Sequence, residues 1–207
     1  MALPLVSMPS RPPSRQSCPP RYRVAQERGS GDLADEIATV ADLIGYPQLD
    51  WQRDVTRVWS TYDEDGQWVH RRNGALVPRQ AGKSVDGIVW ATTLTALLGY
   101  SVLWTDHNYS TTCEMLKRFQ RIFGRKPGDP WGIADLNRVV RRFNSTTAQE
   151  AFELTNGGVL AFSTRTKSAA LGYSFDVVFY DEAQELTGEH MQAITPTTAA
   201  GPHHNTQ

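Results

Sequence analysis

A short apolar run, Ala75-Leu76-Val77, is followed by Pro78-Arg79-Gln80-Ala81-Gly82-Lys83-Ser84 and then by a segment of helical periodicity. Strand, tight turn, Gly-Lys-Ser and helix, in that order, make a cradle for a polyphosphate. Successive backbone N–H groups of the turn and the positive end of the helix face the anion. In such a loop Lys83 reaches the terminal phosphates and the Ser84 hydroxyl ligates magnesium. Val77 stands where the usual phosphate loop has its first glycine. A bare Gly-Lys-Ser also recurs by chance, so the rest of the chain has to decide the reading.

At 207 residues there is room for one sizeable core and a tail. No apolar run approaches the ~18–20 residues of a membrane span. The net charge of −1 offers no global attraction for nucleic acid, so any such argument must be local. Two cysteines, Cys18 and Cys113, give neither a disulfide framework nor a cysteine metal site, which fits a reducing cytoplasm. Residues 1–30 hold six of the twelve prolines and no acid before Glu27. That composition reads as a disordered, mildly basic, Pro- and Arg-rich tail, with one domain over 31–207.

From Asp32 the apolar residues Leu33, Ile37, Val40, Leu43 and Ile44 predict a helix, ended by Gly45-Tyr46-Pro47. A second helix is expected over about 50–62, then an extended segment over 67–77 that enters the phosphate loop. The helix after the loop is apolar on most sides, so it packs against a sheet. Val102-Leu103-Trp104 marks a short strand and 108–123 an amphipathic helix. Strand, helix, strand, helix implies a parallel sheet with right-handed crossovers. Further strands are expected at 138–143, 151–154 and 159–163, the last two joined through Asn156-Gly157-Gly158. Phe175–Tyr180 is nearly all apolar, as a central parallel strand is when both faces are covered. A short helix over 188–194 follows.

Asp181 and Glu182 end that strand, at the carboxyl edge where open α/β sheets place ligands. A nucleotide hydrolase needs two carboxylates there. One holds magnesium, and the other orients or deprotonates the attacking water. Neighbouring residues at a strand end point different ways, which assigns Asp181 to the metal and Glu182 to the γ-phosphate. An Asp-Glu pair alone is an ordinary solvated turn; together with Gly-Lys-Ser it completes a site.

Arg79-Gln80-Ala81-Gly82-Lys83-Ser84 and Val177-Val178-Phe179-Tyr180-Asp181-Glu182-Ala183-Gln184 resemble the Walker A and Walker B motifs of the large terminase subunit of tailed bacteriophages. In that family Arg-Gln-x-Gly-Lys replaces the glycine-rich loop, so Val77 is no departure. Leu49-Asp50-Trp51-Gln52 resembles its adenine-recognition segment. Thr164-Arg165 and Leu171–Asp176 are similar to the stretch just before its second motif, and Pro196–Pro202 to the segment leading into its next strand. The resemblance covers about residues 45–202. It implies the P-loop NTPase three-layer α/β fold with a mostly parallel sheet, and ATP hydrolysis with Mg2+ that drives double-stranded DNA into a procapsid. It also implies the portal protein and the small terminase subunit as partners, a homo-oligomeric ring, and the cytoplasm of a bacterial host.

By that resemblance Gln52, Arg79, Gln80, Ala81, Gly82, Lys83 and Ser84 bind nucleotide, Ser84 and Asp181 hold the metal, and Glu182 is catalytic. Arg79 stabilises charge developing on the γ-phosphate, and Arg165 is a candidate finger on a neighbouring subunit's ATP. For DNA contact, residues 117–142 carry eight basic residues against Asp129 and Asp135. A helicase-like nucleic-acid-dependent ATPase shares several of these motifs. A truncated, non-catalytic fragment that binds nucleotide or a partner is the reading from another class. The family also has a nuclease domain, and a strand between those bearing the two nucleotide motifs. Neither has a counterpart here, so the sheet is expected to be incomplete at the carboxy terminus.

Overall fold

The computed structural model describes residues 23–25, 29–147, 149–165, 174–199, 201–203 and 205–207. The expected tail and Leu171-Gly172-Tyr173 lie wholly or mostly outside them. Helices α1 (Ala34–Leu43) and α2 (Asp50–Trp59) precede α3 (Lys83–Thr92), which runs on into a π-helical turn, Thr93–Leu97. Then come β1 (Ser101–Asp106), α4 (Tyr109–Phe123), the one-turn α5 (Ala134–Asn137), β2 (Val140–Asn144), β3 (Ala151–Leu154), β4 (Val159–Thr164), β5 (Val177–Tyr180) and α6 (Gly188–Thr198). Asn108 caps α4 by accepting the Thr111 N–H, which is why that helix starts where it does.

The five strands form one sheet in the order β2-β3-β4-β1-β5. β1 pairs in parallel with both β4 and β5, whereas β3 runs antiparallel to β2 and β4. Alternation along β1 divides the core. Val102 and Trp104 join α1, α3 and α4 in the larger apolar cluster, and Leu103 faces Phe175 and Ile194 of α6. Trp104 stacks on Phe179 with ring centroids 5.2 Å apart and meets Phe119 of α4 edge-on at 5.7 Å. Because Gly87 of α3 presses against the same indole, that helix lies close on the sheet.

The sheet is mixed, with β4-β1-β5 parallel and β3 forming hairpins on both sides, one of them the hairpin expected at Asn156-Gly157-Gly158. Three expectations change. The expected strand over Ala75–Val77 does not form; that segment is irregular, and Leu76 is fully exposed. Among the described residues it pairs with no strand, and an unpaired strand has no ladder to stabilise it. β5 is an edge strand rather than a central one. Pro196, expected to lead toward a strand, sits in the last turn of α6. The outer edge of β5 is met by Gln207, whose N–H donates to the Asp176 carbonyl at 2.9 Å and whose carbonyl accepts from Val178 N–H at 3.0 Å. That is the first rung of a parallel pairing.

The stretch before Gln207 is fastened to the body of the fold. Asn205 accepts the Trp68 N–H at 2.7 Å and donates to Gly66 and Tyr100. Buried Asp176 accepts the His203 N–H at 2.7 Å and the Ser101 N–H at 2.8 Å.

Candidate active site

Gly82 caps α3 in a left-handed conformation (φ 96°), and Lys83 and Ser84 are the first residues of the helix. Their side chains therefore leave from the positive helix end. The second half of the site is the turn after β5. Among the described residues the only non-glycine residues with positive φ are Gln80 (62°) and Glu182 (52°), one in each motif. Such conformations cost about 1–3 kcal/mol and persist where the surroundings hold them.

The two motifs meet. Lys83 Nζ lies 2.9 Å from Glu182 Oε1 and 3.5 Å from Asp181 Oδ1. Ser84 Oγ donates to Asp181 Oδ2 at 2.9 Å. Asp181 is mostly buried, whereas Lys83 and Glu182 reach solvent. The Lys83 hydrogen bond, with a second from Gln184, holds the Glu182 carboxyl below the usual carboxylate range. Partial burial alone would lower the Lys83 ammonium, but Glu182 and Asp181 outweigh it and hold the group above its ordinary value. Arg79 and Gln80 are exposed on the loop, and Arg79 is near enough for its charge to favour the ionised form of Glu182.

Gln52 and Arg165 each engage the backbone of one of the two motifs. Gln52 is buried, accepts the Leu49 N–H at 2.8 Å and donates to the Gly82 carbonyl at 3.0 Å. Its amide braces the loop ahead of α3, with its oxygen and its nitrogen both engaged. Arg165 is 4% exposed and donates to the backbone carbonyls of Asp181 and, at 3.4 Å, Glu182.

Three further residues belong to the site's surroundings. Asp86, one turn into α3, is buried; its Oδ1 accepts from Gln48 Nε2 at 3.0 Å, and burial pushes its carboxyl up to about 7 against that bond. Asp106 ends β1 beside Asp181, and burial, then the Asp181 charge, pushes it up to about 6. The signal for Asp106 was readable: like Asp181, it is a carboxylate at the end of an apolar strand. Gln48 and Asp86 carried no pattern that marked them.

The eight basic residues of 117–142 are all exposed, with Arg138 paired to Asp135 and Arg141 to Glu153. Among the described residues no group of three or more His, Cys, Asp or Glu is arranged to hold a metal. A hydroxyl and a carboxylate 2.9 Å apart are hard oxygen donors. They fit magnesium, which takes one or two protein oxygens and completes its shell with phosphate and water. No protein-family model matches the chain, and no curated protein matches it significantly. None of the described helices is long and apolar enough to cross a membrane.

Proposed function

We propose that this chain carries the ATP-hydrolysing site of a DNA-packaging motor of the phage terminase large-subunit type. The observation that carries the reading is convergence: Lys83 meets Glu182 across 99 positions, and Ser84 meets Asp181 across 97. Lysine, hydroxyl, metal-type carboxylate and ionised base are the set that phosphoryl transfer to water requires.

Ser84 and Asp181 would hold magnesium, which when bound neutralises phosphate charge and polarises the phosphoryl group. Lys83 exchanges its contact with Glu182 for the β- and γ-phosphates. That exchange leaves Glu182 free to orient and deprotonate water. Arg79 places a guanidinium on the open side of the loop for charge developing on the transferred group. In this reading the chain works in the cytoplasm of a bacterial host as part of a homo-oligomeric ring, with double-stranded DNA, the portal protein and the small terminase subunit as partners. The exposed basic stretch over 117–142 supports contact with DNA phosphates.

One observation favours a second reading, nucleotide binding without turnover. The loop is entered by Ala75–Val77, which is irregular rather than anchored in the sheet. DNA-stimulated phosphate release separates the two. The hydrolase reading expects Lys83→Ala to abolish nucleotide binding and Glu182→Gln to keep binding while lowering turnover at least a hundredfold. Wild-type binding with no turnover supports the second reading. Turnover unaffected by either substitution removes the site.

A further inference from the structure

Trp131 is 86% exposed, whereas the other five tryptophans are buried or half-buried. Its loop is nevertheless tightly fastened. The Ile133 N–H donates to the Ile122 carbonyl at 2.9 Å, and a Cβ at Gly132 would meet the Gly124 nitrogen at 2.7 Å. Buried Asp129 accepts the Arg125 N–H at 2.7 Å and the Trp131 N–H at 3.1 Å. Buried Asn137 of α5 donates to the carbonyls of Phe123 at 2.6 Å and Lys126 at 2.9 Å. One carboxylate and one amide therefore fix the backbone that carries Arg125, Lys126 and Trp131. The indole is held outward on a frame set in advance, which lowers the ordering cost of any contact it makes.

Cations lead up to this ring. Lys117, Arg118 and Arg121 are exposed on the second half of α4, and Arg125 and Lys126 continue the series into the loop. Lys117 and Arg121, four apart, stand ~6 Å from each other along one helix face. Among the described residues none of these five makes an ion pair. The two acids of the stretch do not offset them: Asp129 is engaged by the loop N–H groups, and Asp135 pairs with Arg138 at 3.3 Å.

Free cations suit an anion, and an exposed ring suits a flat partner. A nucleotide offers both in one repeat, a phosphate and a base. In a duplex the bases are stacked on one another and present only edges, whereas an unpaired strand leaves its base faces open to an aromatic side chain. An acidic peptide would meet the charge but not the ring. Beside Trp131 an open depression of about 430 Å³, bordered by Pro130, Gly132, Asn137 and Arg138, leaves room for a base.

We infer that the loop between α4 and α5, with the adjoining face of α4, binds single-stranded DNA. Trp131 stacks on a base, and Lys117, Arg121, Arg125 and Lys126 take the flanking phosphates. α4 begins just after β1, at the sheet edge that carries Asp181, and runs ~22 Å back across the sheet. The site therefore lies at the opposite edge from Lys83 and Glu182 and does not rest on the nucleotide reading. It also goes beyond the duplex contact proposed above, which attraction to phosphates alone would satisfy.

Fluorescence anisotropy on the full chain, without nucleotide, tests it with a labelled oligothymidylate of about 20 nucleotides and a duplex of equal length. The oligothymidylate should bind at least fivefold tighter than the duplex. Trp131→Leu keeps apolar surface but loses the ring, and should weaken oligothymidylate binding at least fivefold while leaving the duplex unchanged. Trp131→Phe should recover at least half of that loss on a logarithmic scale. Arg121→Gln and Lys126→Gln should each reduce the salt slope for the oligothymidylate by about 0.7. Equal affinity for duplex and oligothymidylate, or Trp131→Leu binding like wild type, overturns the stacking site. Polyglutamate that displaces the label as well as unlabelled oligothymidylate does overturns it in favour of an acidic protein segment. None of these outcomes involves Lys83 or Glu182, so the hydrolase reading stands or falls separately.

Discussion

Replacing Asp86 with asparagine should stabilise the protein above neutral pH and remove much of its acid-side pH dependence. Asp86 is 1% exposed, and its carboxyl is pushed up to about 7 from an ordinary 3.8. Only one of its oxygens is satisfied, by Gln48 Nε2; the other, and the Gln48 Oε1, have no partner. A proton on the free carboxyl oxygen lets it donate to Gln48 Oε1 and closes a reciprocal acid–amide pair. Below about pH 4 the group is protonated in both folded and unfolded chains and contributes no pH dependence. Between about 4 and 7 the unfolded chain loses the proton and the folded one keeps it, so stability falls as pH rises. The shift of about three units corresponds to about 4 kcal/mol, all of it lost above pH 7.

The introduced amide would present a donor and an acceptor in the same places and could not ionise. Asp86→Asn should therefore match wild type within about 1 kcal/mol near pH 4. At pH 8 it should exceed wild type by about 3–4 kcal/mol. That is a rise in Tm on the order of 10 °C for a chain of this size. Urea denaturation at half-unit steps from pH 4 to 8 measures it. Asp106, pushed up to about 6, gives the same sense of dependence in both proteins and cancels in the difference, so the curves should part from about pH 4 and be furthest apart above pH 7. Parallel curves, or a variant less stable than wild type at pH 8, would refute the reasoning.

Two other substitutions probe how the loop is carried. Gln52→Ala removes the bonds to Leu49 and Gly82 and should cost about 1–2 kcal/mol in thermal or urea unfolding. It should weaken ATP and GTP binding alike, because the amide braces the loop; a loss confined to ATP would support the base-reading role instead. Gly87→Ala puts a methyl 2.8 Å from the Trp104 ring, which Phe119 and Phe179 hold in place. The clash of about 1–3 kcal/mol should outweigh the ~1 kcal/mol helix gain from alanine, so Tm falls.

Much of the fold was legible because its signals are local. Apolar spacing located α1, α2, α4 and the strands to within a few residues, and Asn156-Gly157-Gly158 marked the β3–β4 hairpin. What misled was the assumption that an apolar run finds a partner. Ala75-Leu76-Val77 reads as a strand and Phe175–Tyr180 as a central one, yet the first is irregular and the second forms the sheet edge. Strand pairing is non-local, and the residues themselves do not say what will lie beside them. The one-turn α5 was missed because four residues carry no periodicity.

The same division runs through the site. Lys83, Ser84, Asp181 and Glu182 were marked by the sequence alone, because a turn between strand and helix, and a carboxylate at a strand end, are defined by their nearest neighbours. Which of them touch was decided by the tertiary structure: β5 beside β1, and α3 laid over Trp104, bring residues nearly a hundred positions apart within hydrogen-bond reach. Tertiary structure also set what Gln52 and Arg165 do, by burying both against backbone carbonyls, and it brought out Asp86 and Asp106. The charge state of a buried group depends on everything packed around it, and no stretch of sequence contains that.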